Sequence, residues 1–285
     1  MAEAPLFPPD RVTVVGVLNA TPDSFSDGGR FVGADGALDL EAALAAARAL
    51  VAAGAHVIDV GGESTRPGAT PVSAGLEIAR TRPLIELLAK ELAVPLSIDT
   101  RRAAVAEAAL DAGARAVNDV SGLRCEPALA EVAARAGATL VVGHLRGEPA
   151  TMQQEVFFAD VLAEVGDELA ASLERARDGG VPRERLVADP GIGFGKRLPH
   201  NLALLANVGA LRARLGVPVL VGPSRKAFLG ELTGDPVEAR DLATAVACGI
   251  AVFAGADAVR VHDVAGARRA VAVAAALRDA RRRPA

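Results

Sequence analysis

Eleven residues able to do chemistry stand at or just after the ends of short apolar runs: Asn19, Asp59, Asp99, Asn118, Asp119, His144, Asp189, Ser224, Lys226, Arg260 and His262. Their types suit two kinds of ligand group. Arg66, Lys226, Arg260 and His262, with the backbone amides of the glycine-rich stretch GGESTRPG, can hold a multiply charged anion such as a diphosphate. Asp99, Asn118 and Asp189 offer the donors and acceptors that read the edge of a flat heterocycle. Any one of the eleven can instead cap a helix, and for Asp59 and Asp119 that reading stands level with the functional one. As a set they exceed what capping requires, because buried charge is costly unless it is paired or used. Neither G-x-S-x-G nor H-E-x-x-H occurs with them, which argues against a serine nucleophile and a zinc site.

Lysine usage sharpens the set. Of 31 basic residues only Lys90, Lys196 and Lys226 are lysines. A lysine placed in GFGK or SRK, in a chain that otherwise uses arginine, points to chemistry that a planar guanidinium does not supply.

The positioning elements follow from periodicity. Apolar runs at 12–17, 56–60, 95–98, 116–117, 139–142, 186–188, 217–221 and 258–261 read as strands covered on both faces. Between and after them, residues 38–53, 73–92, 103–111, 128–136, 161–177, 202–215, 238–254 and 265–281 have helical spacing. Eight alternations of this kind predict a closed (β/α)8 TIM barrel, with the strand ends gathered around one mouth. An open doubly wound sheet is the alternative, since periodicity does not show closure. The opening run ends in NATPDSFSDGG, a polar connection punctuated by proline and glycine, with Phe25 amid Asp and Ser.

Composition bounds the rest. A hydrophobic content of 51% over 285 residues buries a large core, and no linker interrupts the cycle, so residues 1–285 are expected to form a single domain with 1–11 as a short N-terminal extension. A net charge of −4 without a basic, aromatic-interleaved stretch points to a small-molecule ligand rather than nucleic acid. Two cysteines without metal spacing, no signal-peptide pattern and no uninterrupted apolar span fit a cytoplasmic protein with no membrane contact.

Seven motifs occur in a fixed order: LNATPDSFSDGG, DVGGESTRPG, SIDTRR, VNDVSG, DPGIGFGK, SRKAFLG and RVHDV. In these the chain, from Asn19 to its RVHDV, resembles the dihydropteroate synthase family of pterin-binding TIM barrels. The resemblance implies an enzyme that joins 6-hydroxymethyl-7,8-dihydropterin diphosphate to 4-aminobenzoate in folate biosynthesis, releasing diphosphate through an SN1-like step assisted by Mg²⁺. It assigns the pterin to Asp99, Asn118, Asp189, Lys226 and Arg260, with Lys226, Asp99 and Arg260 closest to the chemistry. It gives the diphosphate to Asn19, Thr65, Arg66 and His262, with Asn19 on the metal side. Thr65, Pro67, Phe194 and Ser224 would shape the aminobenzoate pocket. A homodimer through helices remote from the mouth is also implied.

Gly143, Leu145 and Pro223 depart from the family's usual residues and are expected to alter pocket packing. A related pterin-barrel methyltransferase that binds methyltetrahydrofolate accounts equally well for Asp99, Asn118 and Asp189. It has no need of the anion cluster or the TPDSFSDGG loop. A non-catalytic pterin-binding homologue is the third reading.

Overall fold

A computed structural model describes residues 5–21, 38–64, 71–149 and 151–282. Among them run eight parallel strands: β1 Thr13–Asn19, β2 Val57–Gly61, β3 Leu96–Asp99, β4 Ala116–Asp119, β5 Thr139–Val142, β6 Leu186–Ala188, β7 Leu220–Val221 and β8 Ala258–Val261. They are ordered β6-β5-β4-β3-β2-β1-β8-β7. A parallel bridge between Ala188 and Val219 joins the two ends of that order, with the Ala188 N–H on the Pro218 carbonyl at 2.9 Å. The sheet therefore closes, and the open-sheet alternative fails. The helices are α1 Leu40–Ala53, α2 Ala74–Glu91, α3 Ala103–Asp111, α4 Leu129–Arg135, α5 Val161–Asp178, α6 Leu198–Ala206, α7 Val208–Leu215, α8 Ala227–Thr233, α9 Asp241–Ala254 and α10 Val264–Arg282.

Side-chain alternation along each strand divides the core in two. Outward residues such as Val14, Ile58, Ile98, Val117, Leu140 and Val259 join the helices in the large apolar cluster. Inward residues of seven strands, Val15, Val57, Ala116, Val141, Val187, Leu220 and Ala258, form a second cluster with Leu6 and Phe7. The N-terminal segment thus plugs the barrel floor, and Thr13 Oγ1 ties it down by donating to the Leu6 carbonyl at 3.3 Å. Two residues further along the same strands, the inward positions are Val17, Asp59, Asn118, Asp189 and Arg260, while Asn19, Asp99 and His262 lie towards or beyond the strand ends. A period of exactly two therefore sends the apolar residues to the floor and the polar ones to the mouth.

Helix starts follow local chemistry. Asp39 caps α1 by accepting from Ala42 N, Ser73 caps α2 through Leu76 N, and Asp160 caps α5 through Leu162 N and Ala163 N. Two differences from the periodic reading bear on the site. The single helix expected at 202–215 is two, α6 and α7, broken at Asn207, whose side chain bonds the Ala203 carbonyl at 2.8 Å. The stretch after Ser224, for which periodicity predicts no element, holds the short helix α8, with Lys226 at its N-cap position. The expected strand 217–221 is regular only over Leu220–Val221.

Candidate active site at the barrel mouth

The strand ends open into a cavity of about 740 Å³. Asn19, Asp99, Asn118, Asp189, Phe194, Ser224, Lys226, Arg260 and His262 all line it. Thr65, Arg66 and Pro67, together with the TPDSFSDGG segment from Pro22 onward, lie outside the described residues. Glu63, Ser64, Met152, Gln153 and Lys196 complete one side of the wall.

Arg260 is the hub of the mouth. Its Nε donates to Asp59 Oδ2 and its Nη2 to Asp99 Oδ2, both at 2.6 Å. Asp59 Oδ2 also accepts from Asn118 Nδ2 at 3.2 Å. Asp59 is thus neither a helix cap nor a cavity residue: it sits beneath the cavity and orients Arg260 and Asn118. Asp59 Oδ1 and Asn118 Oδ1 are buried without a hydrogen-bond partner among the described residues. Such orphaned acceptors are costly unless a ligand donor reaches them. Burial pushes the Asp99 carboxyl up to about 7, with Arg260 opposing and Asp59 adding to the rise. Asp189 is raised by burial as well, against the pull of Lys226, and its Oδ1 already accepts from Gly191 N at 2.7 Å.

Lys226 lies beside Asp189 at the mouth, on the turn that follows β7. Its Nζ donates to the Ile192 carbonyl and stands 3.8 Å from the centroid of the Phe194 ring. The turn that presents it is held from behind: Arg225 sits at φ 55, a left-handed conformation that costs a non-glycine residue about 1–3 kcal/mol. Its side chain is clamped on Asp241 at 2.7 and 2.8 Å, its N–H on Thr244 Oγ1 at 3.0 Å and its carbonyl by Arg240 at 3.2 Å. Ser224 Oγ and His262 Nδ1 are 2.8 Å apart.

Two of the eleven sequence candidates point elsewhere. Asp119 faces outward and ties the following turn, accepting from Ser121 N and Oγ and from Leu123 N; it caps no helix, since α4 begins only at Leu129. His144 lies behind the cavity wall on Lys196. Gly143, Leu145 and Pro223 are not among the residues that line the cavity. At Gly143 a Cβ would stand 2.6 Å from Val120 Cα and 2.8 Å from the Asp119 carbonyl oxygen, so the close approach of β4 and β5 requires glycine.

Sequence reasoning missed a charged cluster beside the mouth. Glu63 accepts from Arg101 at 3.2 Å, Arg102 at 2.9 Å and Val72 N at 3.1 Å, and Arg102 also bonds the buried Glu77. The signal was present in the paired arginines after β3 and the glutamate after β2. Neither stands at a strand end with an unpaired look, so neither was singled out.

A model of the pterin binding enzyme family matches residues 15–262. The chain is 46% identical over 268 residues to a dihydropteroate synthase of Synechocystis, covering 94% of this chain and 90% of that one. A crystal structure of Yersinia pestis dihydropteroate synthase in a sulfonamide drug complex superposes with a TM-score of 0.89 at 40% identity, covering 95% of each chain. That of the Thermus thermophilus enzyme in complex with 4-aminobenzoate superposes with a TM-score of 0.82 at 44% identity, covering 94% of this chain and 95% of that one. The chain belongs to the pterin-binding enzyme family. The relatives it matches along nearly their whole length are dihydropteroate synthases, transferases of folate biosynthesis.

Lys226 yields a prediction with a definite sign. Burial holds its ammonium down at about 8, Asp189 opposing and Arg260 adding, whereas the unfolded side chain keeps its proton to 10.5. Between these values the unfolded chain binds more protons, so this group's contribution to stability rises with pH; below about 8 its destabilising effect is present in full. Lys226→Met should therefore raise Tm at pH 6, with the gain shrinking as pH passes from 8 to 10.5. Thermal unfolding across that range reads it, and a gain absent at pH 6 would contradict the assignment.

Proposed function

We propose that this mouth condenses 6-hydroxymethyl-7,8-dihydropterin diphosphate with 4-aminobenzoate, giving 7,8-dihydropteroate and diphosphate in folate biosynthesis. The observation that carries the reading is the convergence of Asp99, Asn118, Asp189, Lys226 and Arg260 on one cavity, with a buried acceptor of Asn118 left for a ligand donor. A pterin's amino-pyrimidine edge presents N–H donors that match the Asp189 and Asn118 acceptors, and its ring carbonyl matches the Lys226 ammonium. The planar Arg260 guanidinium, fixed by two carboxylates, offers a face for the ring and a charge for the anion.

Asn19, Thr65, Arg66 and His262 are read as the diphosphate side, and Thr65, Pro67, Phe194 and Ser224 as the aminobenzoate side. The chemistry asks little of a protein nucleophile. The bond between the pterin methylene carbon and the diphosphate oxygen breaks, its electron pair leaves with diphosphate, and the arylamine nitrogen attacks the cation and then sheds a proton. Cationic residues lower this barrier by stabilising the leaving charge. The acids around the pterin hold the ring where the cation forms.

Mg²⁺ is the expected metal. Among the described residues no cluster of three His, Cys, Asp or Glu side chains could hold an ion by itself. Asn19, at the end of β1 and on the cavity, offers one hard oxygen. That fits an ion which takes few protein ligands and completes its shell with substrate phosphates and water. When bound, it would neutralise charge on the departing diphosphate.

We read residues 1–285 as one domain, since the N-terminal Leu6 and Phe7 are built into the barrel floor; limited proteolysis that released a second stable fragment would overturn this. The cytoplasm is the compartment we expect, to be tested by cell fractionation; no helix among the described residues is long and apolar enough to cross a membrane. A homodimer is supported by the outer flank of α9 and α10. There Leu242, Val246, Ile250, Phe253, Val273 and Leu277 leave an exposed apolar stripe, Leu242 at 78% exposure. Large apolar patches of this kind mark association surfaces.

Two outcomes are expected. Asp189→Asn presents a donor where the ring needs an acceptor and should weaken pterin binding by about 2–4 kcal/mol in calorimetry; wild-type affinity would remove Asp189 from the pterin site. Ile250→Asp places a charge in the stripe and should turn a dimer into a monomer in sedimentation. A monomeric parent protein would refute the dimer.

A further inference from the structure

Two of the three lysines in this chain end on carbonyls of one turn. After Asp189 the backbone takes a left-handed conformation at Gly191, Gly193 and Gly195, with φ of 66, 80 and 58. Successive carbonyls of this turn are each caught by a side chain: Ile192 by Lys226, Gly193 by Gln153 at 2.8 Å and Phe194 by Lys196 at 3.0 Å. The Gly193 N–H donates to Asn201 at 2.7 Å. The turn has one bulky side chain on the cavity, Phe194.

Lys196 is itself only 3% exposed. Its Nζ lies 2.9 Å from His144 Nδ1, and His144 Nε2 lies 3.2 Å from Glu168 on α5. Glu168 in turn is held by Arg124 and Arg146 at the surface. Glu168 stands beside Nε2 as a charge, without hydrogen-bond geometry; an ammonium has only donors to offer, so Nδ1 is the acceptor for Lys196 and the ring proton sits on Nε2. Charged neighbours face Lys196 from every side: Asp189 and Lys226 from the mouth, Glu168 and Arg146 from the α5 side, and His200 from α6. Burial brings its ammonium down to about 7, Asp189 and Glu168 opposing and Lys226 adding. Its Nζ also reaches the His144 carbonyl at 3.4 Å, yet a buried amine is a costly way to satisfy two carbonyls, since an apolar packing of similar volume is often at least as stable. Its placement serves something other than stability.

We propose that Lys196 is a positioning residue for the second substrate: anchored by His144 and Glu168, it fixes the Phe194 carbonyl and so sets the Phe194 ring as one wall of the arylamine subsite. Lys226 steadies the same ring from the cavity side. The proposal rests on the reading of Phe194 as part of the aminobenzoate pocket, and the test separates the two.

Steady-state kinetics of the full chain with pterin diphosphate, Mg²⁺ and 4-aminobenzoate are compared for the wild type, Lys196→Met, Phe194→Ala and the double variant. Lys196→Met should raise KM for 4-aminobenzoate about tenfold, leaving KM for the pterin and kcat at saturation within about threefold. In the Phe194→Ala background the same change should move that KM less than about twofold, because the ring through which Lys196 acts is gone. Equal effects in both backgrounds, or parallel rises in both KM values, would overturn the inference. If Phe194→Ala alone left KM for 4-aminobenzoate untouched, the subsite reading would fail first and take this inference with it. Should Lys196→Met not fold, Glu168→Gln, at the partly exposed end of the chain, is expected to raise KM for 4-aminobenzoate about threefold by removing the negative charge that faces His144 and Lys196. An unchanged KM there would count against the proposal.

Discussion

The structure depends on a buried guanidinium strung between two carboxylates. Arg260 rises from β8 into the barrel, and Asp59 from β2 and Asp99 from β3 hold it at 2.6 Å each. A charge of this kind in a barrel interior is tolerable only when paired and hydrogen-bonded, and here the pairing spans strands 201 and 161 residues apart in sequence. It can form only if β8, β1, β2 and β3 pair in one register. Slipping any of these strands by a single residue would bury its acid or base among the helices. The polar mouth therefore depends on the register of these four strands.

This also explains how the floor and the mouth divide the work. The lower inward layer is apolar and capped by Leu6 and Phe7, giving stability without chemistry. The upper layer carries the charges, and it leaves buried acceptors on Asp59 and Asn118 without a partner among the described residues, that of Asn118 on a residue lining the cavity. The separation matches the general barrel pattern in which strand C-termini carry function and the opposite end carries packing.

Much of this was legible in the sequence because strand periodicity is so regular. An apolar run ending in Asp, Asn, Arg or His places that residue at the mouth, and nine of the twelve expected site residues, eight read from strand ends and Phe194 from the family resemblance, do line one cavity; the other three, Thr65, Arg66 and Pro67, lie outside the described residues. What periodicity could not give was direction. Asp59 and Asp119 both sit near strand ends, yet one faces inward under Arg260 and the other faces outward onto Ser121 and Leu123. His144, one residue past the glycine that ends its strand, falls behind the wall for the same reason. The division of one apolar stretch into α6 and α7 depended on Asn207 bonding back to its own helix, a local competition that spacing alone does not reveal. The residues of the Glu63, Arg101, Arg102 and Glu77 cluster are visible in the sequence but their pairing is not, because the partners belong to different connections and meet only in the folded chain.

Arg260 is the claim on which the rest turns, and a crystal structure with a dihydropterin diphosphate bound tests it most directly. The account predicts that the ring lies in the mouth with its amino-pyrimidine edge on Asp189 and Asn118. Arg260 Nε should remain on Asp59, and the guanidinium should lie within contact of the ligand. A ligand seated elsewhere, or an Arg260 that has left Asp59 to bind it, would contradict the account.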